Sequence, residues 1–156
     1  MAEAPVSILA QRRIEAGFAK GIYEEMVASI GQEAARGIMT RAIVRLAEQA
    51  GATMAEGQQT SVAHFADLME LWRRDDALVM DVVRQDDLHF DFNVTRCRYA
   101  ETYREMGLGE LGAVLSCNRD GAFCVGYDKR LKLTRTQTIM GGATHCDFRY
   151  VWDEAG

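Results

Sequence analysis

Apolar positions recur at helical spacing through the first half of the chain and at alternating spacing through much of the second. Ile8, Ile14, Phe18, Ile22 and Met26 stand four to six residues apart among charged neighbours, which predicts a helix from about Ser7 to Ser29. Ser7 is its N-cap, with Pro5 just before it. Gly31 interrupts the pattern. A second helix then carries Ala34, Ile38, Ala42, Leu46 and Ala50 or their neighbours on one stripe, with Gly51 as its stop. Gly57 to Thr60 is a polar connection, and Ser61 caps a third helix whose Phe65, Leu68, Met69 and Trp72 face the core.

The period changes at Asp75-Asp76. Ala77 to Arg84 are strand formers, and Leu88 to Cys97 alternate, with Gln85-Asp86-Asp87 as the hairpin loop between them. Alternation points Phe90, Phe92 and Val94 one way, and His89, Asp91, Asn93, Thr95 and Cys97 the other. Tyr99 to Met106 and Gly107 to Leu115 read as short helices, and Cys117-Asn-Arg-Asp-Gly121 as a loop, Asp-Gly being a turn signal. Leu131 to Met140 and Cys146 to Trp152 are two further strands joined through Gly141-Gly142. The expectation is an α+β fold: N-terminal helices packed on an antiparallel sheet of about four strands with a short helical insert. Residues 1–156 form a single domain, with a helical part over 7–73 and a mixed sheet and helix part over 77–152 that carries the site.

Length and composition narrow the function. The chain has 156 residues, 48% of them hydrophobic, and a formal net charge of −5. The negative balance argues against nucleic-acid binding, and the short cationic run Lys129-Arg-Leu-Lys132 reads as a solvated surface. No apolar stretch is long enough for a membrane span. Met1-Ala-Glu-Ala-Pro5 lacks the basic and apolar regions of a signal peptide, so a cytoplasmic protein is expected. Reduced thiols follow from that compartment. The four cysteines, Cys97, Cys117, Cys124 and Cys146, form no CxxC pair. Helix surfaces rich in Ala and Met make a homo-oligomer the expected assembly.

Thiols set among charges carry the candidate chemistry. Cys117 precedes Asn118, Arg119 and Asp120. Arg119 would favour the thiolate and Asp120 would move a proton; the alternative is a small residue filling a gap. Cys146 shares a strand face with Phe148, Tyr150 and Trp152, while His145, Asp147 and Arg149 take the opposite face. Arg149 is a clamp for a substrate carboxylate or else a cross-strand ion pair with Asp147. His89 and His145 are candidate bases that would also contact substrate. His64 belongs to the helix surface or core. Gly141-Gly142 is a hairpin turn or an oxyanion donor. Cys124 reads as packing. Should the helices fold back over the sheet, Cys97, Cys117 and Cys146 converge, either as part of a thiol site or as ligands to zinc or another divalent metal; no cofactor is otherwise expected.

Three blocks together suggest a family. Cys97-Arg-Tyr-Ala-Glu101, Cys117-Asn-Arg-Asp120 and Arg135-Thr-Gln-Thr-Ile-Met-Gly-Gly-Ala-Thr-His-Cys-Asp-Phe-Arg149 resemble, in order and spacing, the L-2-amino-thiazoline-4-carboxylic acid hydrolase family. The resemblance implies a small hydrolase that opens a five-membered cyclic amidine-like ring at a C–N or C–S bond. In the type reaction water converts a 2-amino-thiazoline ring to a carbamoyl derivative of cysteine. By motif it carries over Cys97, Cys117, Asp120, Cys146 and Asp147; His145 departs from the family pattern. Three functions follow: a cysteine-centred hydrolase acting on a small substrate bearing a carboxylate, a metal-dependent hydrolase using the same thiols, and a non-catalytic small-molecule-binding module.

Overall fold

The computed structural model describes residues 4–156. Met1 to Glu3, on which the N-terminal expectation partly falls, lie outside the described residues. Helix α1 spans Ile8–Ile30, with the Ser7 hydroxyl accepting from the Ala10 amide. Gly31, at φ 85°, turns the chain into α2, Gln32–Ala55. Ser61 accepts from the His64 amide and starts α3, Val62–Arg73. Strands β1 (Leu78–Gln85) and β2 (His89–Cys97) follow as a hairpin. Helix α4, Arg98–Glu105, leads to the short α5, Gly109–Gly112. A π-helical turn over Ala113–Cys117 then feeds α6, Asn118–Tyr127, and β3 (Leu131–Thr134) and β4 (Cys146–Trp152) close the fold. The sheet is antiparallel in the order β1-β2-β4-β3. No helix among the described residues is long and apolar enough to cross a membrane.

The α+β expectation holds, with local corrections. Gly51 does not stop α2; it lies inside that helix, and a Cβ there would stand 2.2 Å from the Phe123 carbonyl oxygen. A Cβ on Gly126 would stand 1.8 Å from the Glu48 carbonyl oxygen. This glycine pair lets α2 and α6 cross with their backbones in contact. Asn118 to Gly121 is consequently helix rather than loop, because tertiary packing outweighs the Asp-Gly turn signal. The strand read over Leu131 to Met140 ends at Thr134. Beyond it, the Asp147 carboxylate takes the Thr136 and Gln137 amides that a ladder would have used. On α1 and α2 the buried positions are Leu9, Ala16, Ala35, Met39, Ile43, Ala47 and Gly51, whereas Ile14, Phe18, Ile22, Ile38 and Leu46 of the predicted stripes are exposed.

Two apolar cores result. One unites Phe65, Phe90, Phe92, Phe123, Phe148 and Tyr150 between α3, α6 and the sheet. The other joins Leu9, Met39, Tyr103, Leu111 and Val114 among α1, α2, α4 and α5. Trp72, Leu78 and Cys97 border both. That seam is where the cavity opens.

Candidate functional site

A cavity of about 360 Å³ lies along the seam. Its apolar wall includes Phe65, Trp72, Phe92, Phe148 and Tyr150. Its polar wall holds Cys97, Cys117, Cys146, Asp120, Arg135, Arg119, Arg12 and Glu15. The four residues expected to be catalytic, Cys97, Cys117, Asp120 and Cys146, come from three separate segments and share one small volume.

Each arrives by a local device. Strict alternation would have sent Cys97 to the outer face of β2. Register slips instead: Val79 pairs with Arg96 but Met80 with Val94, leaving Thr95 as an extra residue. This β-bulge reverses the alternation and returns Cys97 to the side of Val94. There its sulfur caps α4, accepting from the Ala100 amide at 3.4 Å. Cys117 ends the π-helical turn, where the Asn118 amide reaches back to the Ala113 carbonyl. Such turns recur at functional sites. Cys146 opens β4, and its sulfur accepts the Ile139 amide at 3.1 Å.

Asp120 and Arg135 form the polar floor. The guanidinium donates to Asp120 Oδ2 at 2.5 Å and to the Cys117 carbonyl at 3.0 Å, and lies 4.9 Å over the Phe148 ring. Asp120 is deep within the molecule, yet its carboxyl keeps 29% of its surface because it borders the cavity. Burial raises its pKa, and Arg135 opposes that shift. Arg135 was not singled out from the sequence, although it opens the third motif block.

The thiols differ. Burial pushes Cys97 up to about 11. Burial and then the Asp120 charge push Cys117 up to about 12. Cys146 is also raised by burial, but the Ile139 amide and Arg135 pull against it. Arg119 does not activate Cys117 as expected: its Nε donates to the Leu115 carbonyl at 2.6 Å and its Nη2 meets Glu15 at 3.3 Å. Cys124, buried in α6, bonds the Asp120 carbonyl and packs in the first core, as read.

The four residues expected to hold substrate do not line the cavity. Arg149, Asp147 and His145 occupy the face of the β4 segment opposite Cys146 and Phe148, as alternation requires. Arg149 bonds the Phe92 and Phe148 carbonyls and Asn93, and makes no ion pair with Asp147. Asp147 holds Thr136 and Gln137. His145 meets Gln137 and Thr144, and His89 meets Asp86 at 2.9 Å beside the hairpin turn. The Gly141 and Gly142 amides bond the Thr138 and Ile139 carbonyls in a turn, which removes them as oxyanion donors. His64 bonds the Tyr127 hydroxyl at 2.6 Å.

The metal reading has no assembled donor set. Among the described residues no group of three or more His, Cys, Asp or Glu side chains could hold a metal ion, so Cys97, Cys117 and Cys146 share the wall without forming a coordination sphere.

A family model described as L-2-amino-thiazoline-4-carboxylic acid hydrolase matches residues 11–150. Comparison with curated proteins finds no match. Among solved structures, the phenol-responsive sensory domain of the transcription activator PoxR, with phenol, is similar in fold at 14% identity and a TM-score of 0.50, over 97% of this chain and 79% of that one.

Proposed function

Because the chain belongs to the L-2-amino-thiazoline-4-carboxylic acid hydrolase family, we propose that it hydrolyses a small, flat, five-membered cyclic amidine bearing a carboxylate, in the cavity between the two cores. The observation that carries this reading is the meeting of Cys97, Cys117, Cys146 and the Arg135-bound Asp120 around one volume of about 360 Å³. That volume suits a single small heterocycle.

Cys146 is the nucleophile of this proposal, in place of Cys117. Both thiols feel Asp120 and Arg135, but at Cys146 the Ile139 amide and Arg135 outweigh the Asp120 charge, whereas at Cys117 Asp120 outweighs Arg135 and no amide among the described residues bonds the sulfur. The sulfur adds to the amidine carbon as the thiol proton passes to the amidine nitrogen. Asp120, its pKa raised by burial, is the group that relays that proton. The ring bond from that carbon to sulfur or nitrogen then breaks, and the leaving atom takes a proton. Water adds to the same carbon and expels the enzyme thiol, so the net change is ring plus water to carbamoyl product.

Incubation with 2-amino-thiazoline-4-carboxylate tests this. Turnover by the parent chain and a loss of about a hundredfold or more in kcat for Cys146→Ser, with folding intact, are expected. Full turnover in that variant would remove the covalent role.

A second reading is a binding module without turnover. The aromatic wall and the largely protonated thiols favour it. Tight binding of the heterocycle with no product formed would select it.

A further inference from the structure

Charges around the cavity do not balance. Arg12, Arg119 and Arg135 face only two carboxylates, Glu15 and Asp120. Arg135 and Asp120 satisfy each other. That leaves Glu15 to serve two cations: its Oε2 meets Arg12 Nη1 at 3.0 Å and Arg119 Nη2 at 3.3 Å. The arginine side chains retain 15% and 14% of their surface, whereas Glu15 retains 49%. Two shielded guanidinium groups therefore share one carboxylate that stands half in solvent. Burial and the nearby Arg12 both lower the Arg119 pKa, so the arginines crowd each other. Glu15 sits on the exposed flank of α1 and needs only a rotamer change to leave.

We propose that Arg12 and Arg119 form the seat for a ligand carboxylate, and that Glu15 is a resident stand-in which the ligand displaces. The uncompensated positive charge makes a monoanion the preferred guest. Its ring then extends towards the aromatic wall and the thiols. This seat replaces Arg149, which the fold places on the other face of the sheet. The inference rests on the cavity being the ligand site, as the proposed hydrolysis requires, but not on turnover.

Benzoate and its neutral counterpart benzamide separate the two ideas, with binding followed by calorimetry or by fluorescence of Trp72 in the cavity wall. A charge-assisted pair of hydrogen bonds predicts a preference of about tenfold or more for benzoate. Arg12→Gln and Arg119→Gln should each erase most of that preference while leaving benzamide within about twofold. Glu15→Gln should tighten benzoate severalfold, because the competitor is gone. Equal binding of the two probes, binding of neither, or weaker benzoate binding by Glu15→Gln would overturn the seat. Among the described residues the Arg12 side chain bonds only Glu15, so its variant carries the test even if Arg119→Gln unfolds. Benzoate selectivity without ring opening would leave the seat standing and sink the hydrolase reading; ring opening without selectivity would do the reverse.

Discussion

Asp120 and Arg135 tie α6 to the segment after β3 through an ion pair at 2.5 Å on the cavity floor. The pair comes from two of the three motif blocks, and it also fixes the Cys117 carbonyl. Arg135→Met would leave the buried Asp120 charge without its partner. A loss on the order of 2 kcal/mol is expected, below the value for a sealed pair because Asp120 keeps cavity access. The sign with pH follows from the raised Asp120 pKa: protonation relieves the unpaired charge, so the deficit should grow as pH rises from 4 to 8. Urea unfolding at both pH values measures it, and adding Asp120→Asn should recover part of the loss.

The crossing of α2 and α6 admits no side chain at Gly126 or Gly51. Gly126→Ala puts a methyl group 1.8 Å from the Glu48 carbonyl oxygen, where only backbone movement can help. A cost of about 3 kcal/mol is expected in equilibrium unfolding. Gly21→Ala, on open surface, should stabilise α1 slightly.

Asp147 organises the 135–145 segment from outside the cavity. Burial alone would raise its pKa, but bonds from the Thr136 hydroxyl and the Gln137 and Thr136 amides hold it at about 2. A depressed carboxyl pKa gives stability that is present above the unfolded value of 3.8 and is lost as pH falls towards 2. Asp147→Asn should therefore lower the melting temperature at neutral pH and flatten the acid limb of the stability profile over that interval.

Much of this architecture was legible in the chain because its causes are local. Ser7 and Ser61 cap helices through their own side chains, and Phe90, Phe92 and Val94 face inward by strand alternation. Chemistry and motif single out Cys97, Cys117, Asp120 and Cys146, and the fold sets all four on one cavity wall. What escaped depends on distant partners. The Thr95 bulge that returns Cys97 to the core is a cross-strand event. The helix over Asn118 to Gly121 is held by a crossing some seventy residues away in sequence, at Glu48 and Gly51. Arg149 alternates with Phe148 to the outer face of β4, whereas Arg135 continues the side of Leu131 and Leu133 into the cavity, a placement that shows only once the two strands are seen to pair. The exposed row on α1 has the helical period of a buried one, and period alone cannot say what lies opposite.

The central claim is that three thiols from three distant segments share one ligand cavity and the fourth does not. Alkylation at limiting reagent, read by peptide mass spectrometry with and without 2-amino-thiazoline-4-carboxylate, tests it most directly. Cys146 should react first, because the Ile139 amide and Arg135 oppose the shift that burial gives all three thiols; Cys97 and Cys117 should follow more slowly, and ligand should protect all three while Cys124 stays inert throughout. Unchanged labelling of Cys146 and Cys117 in the presence of bound ligand would contradict it.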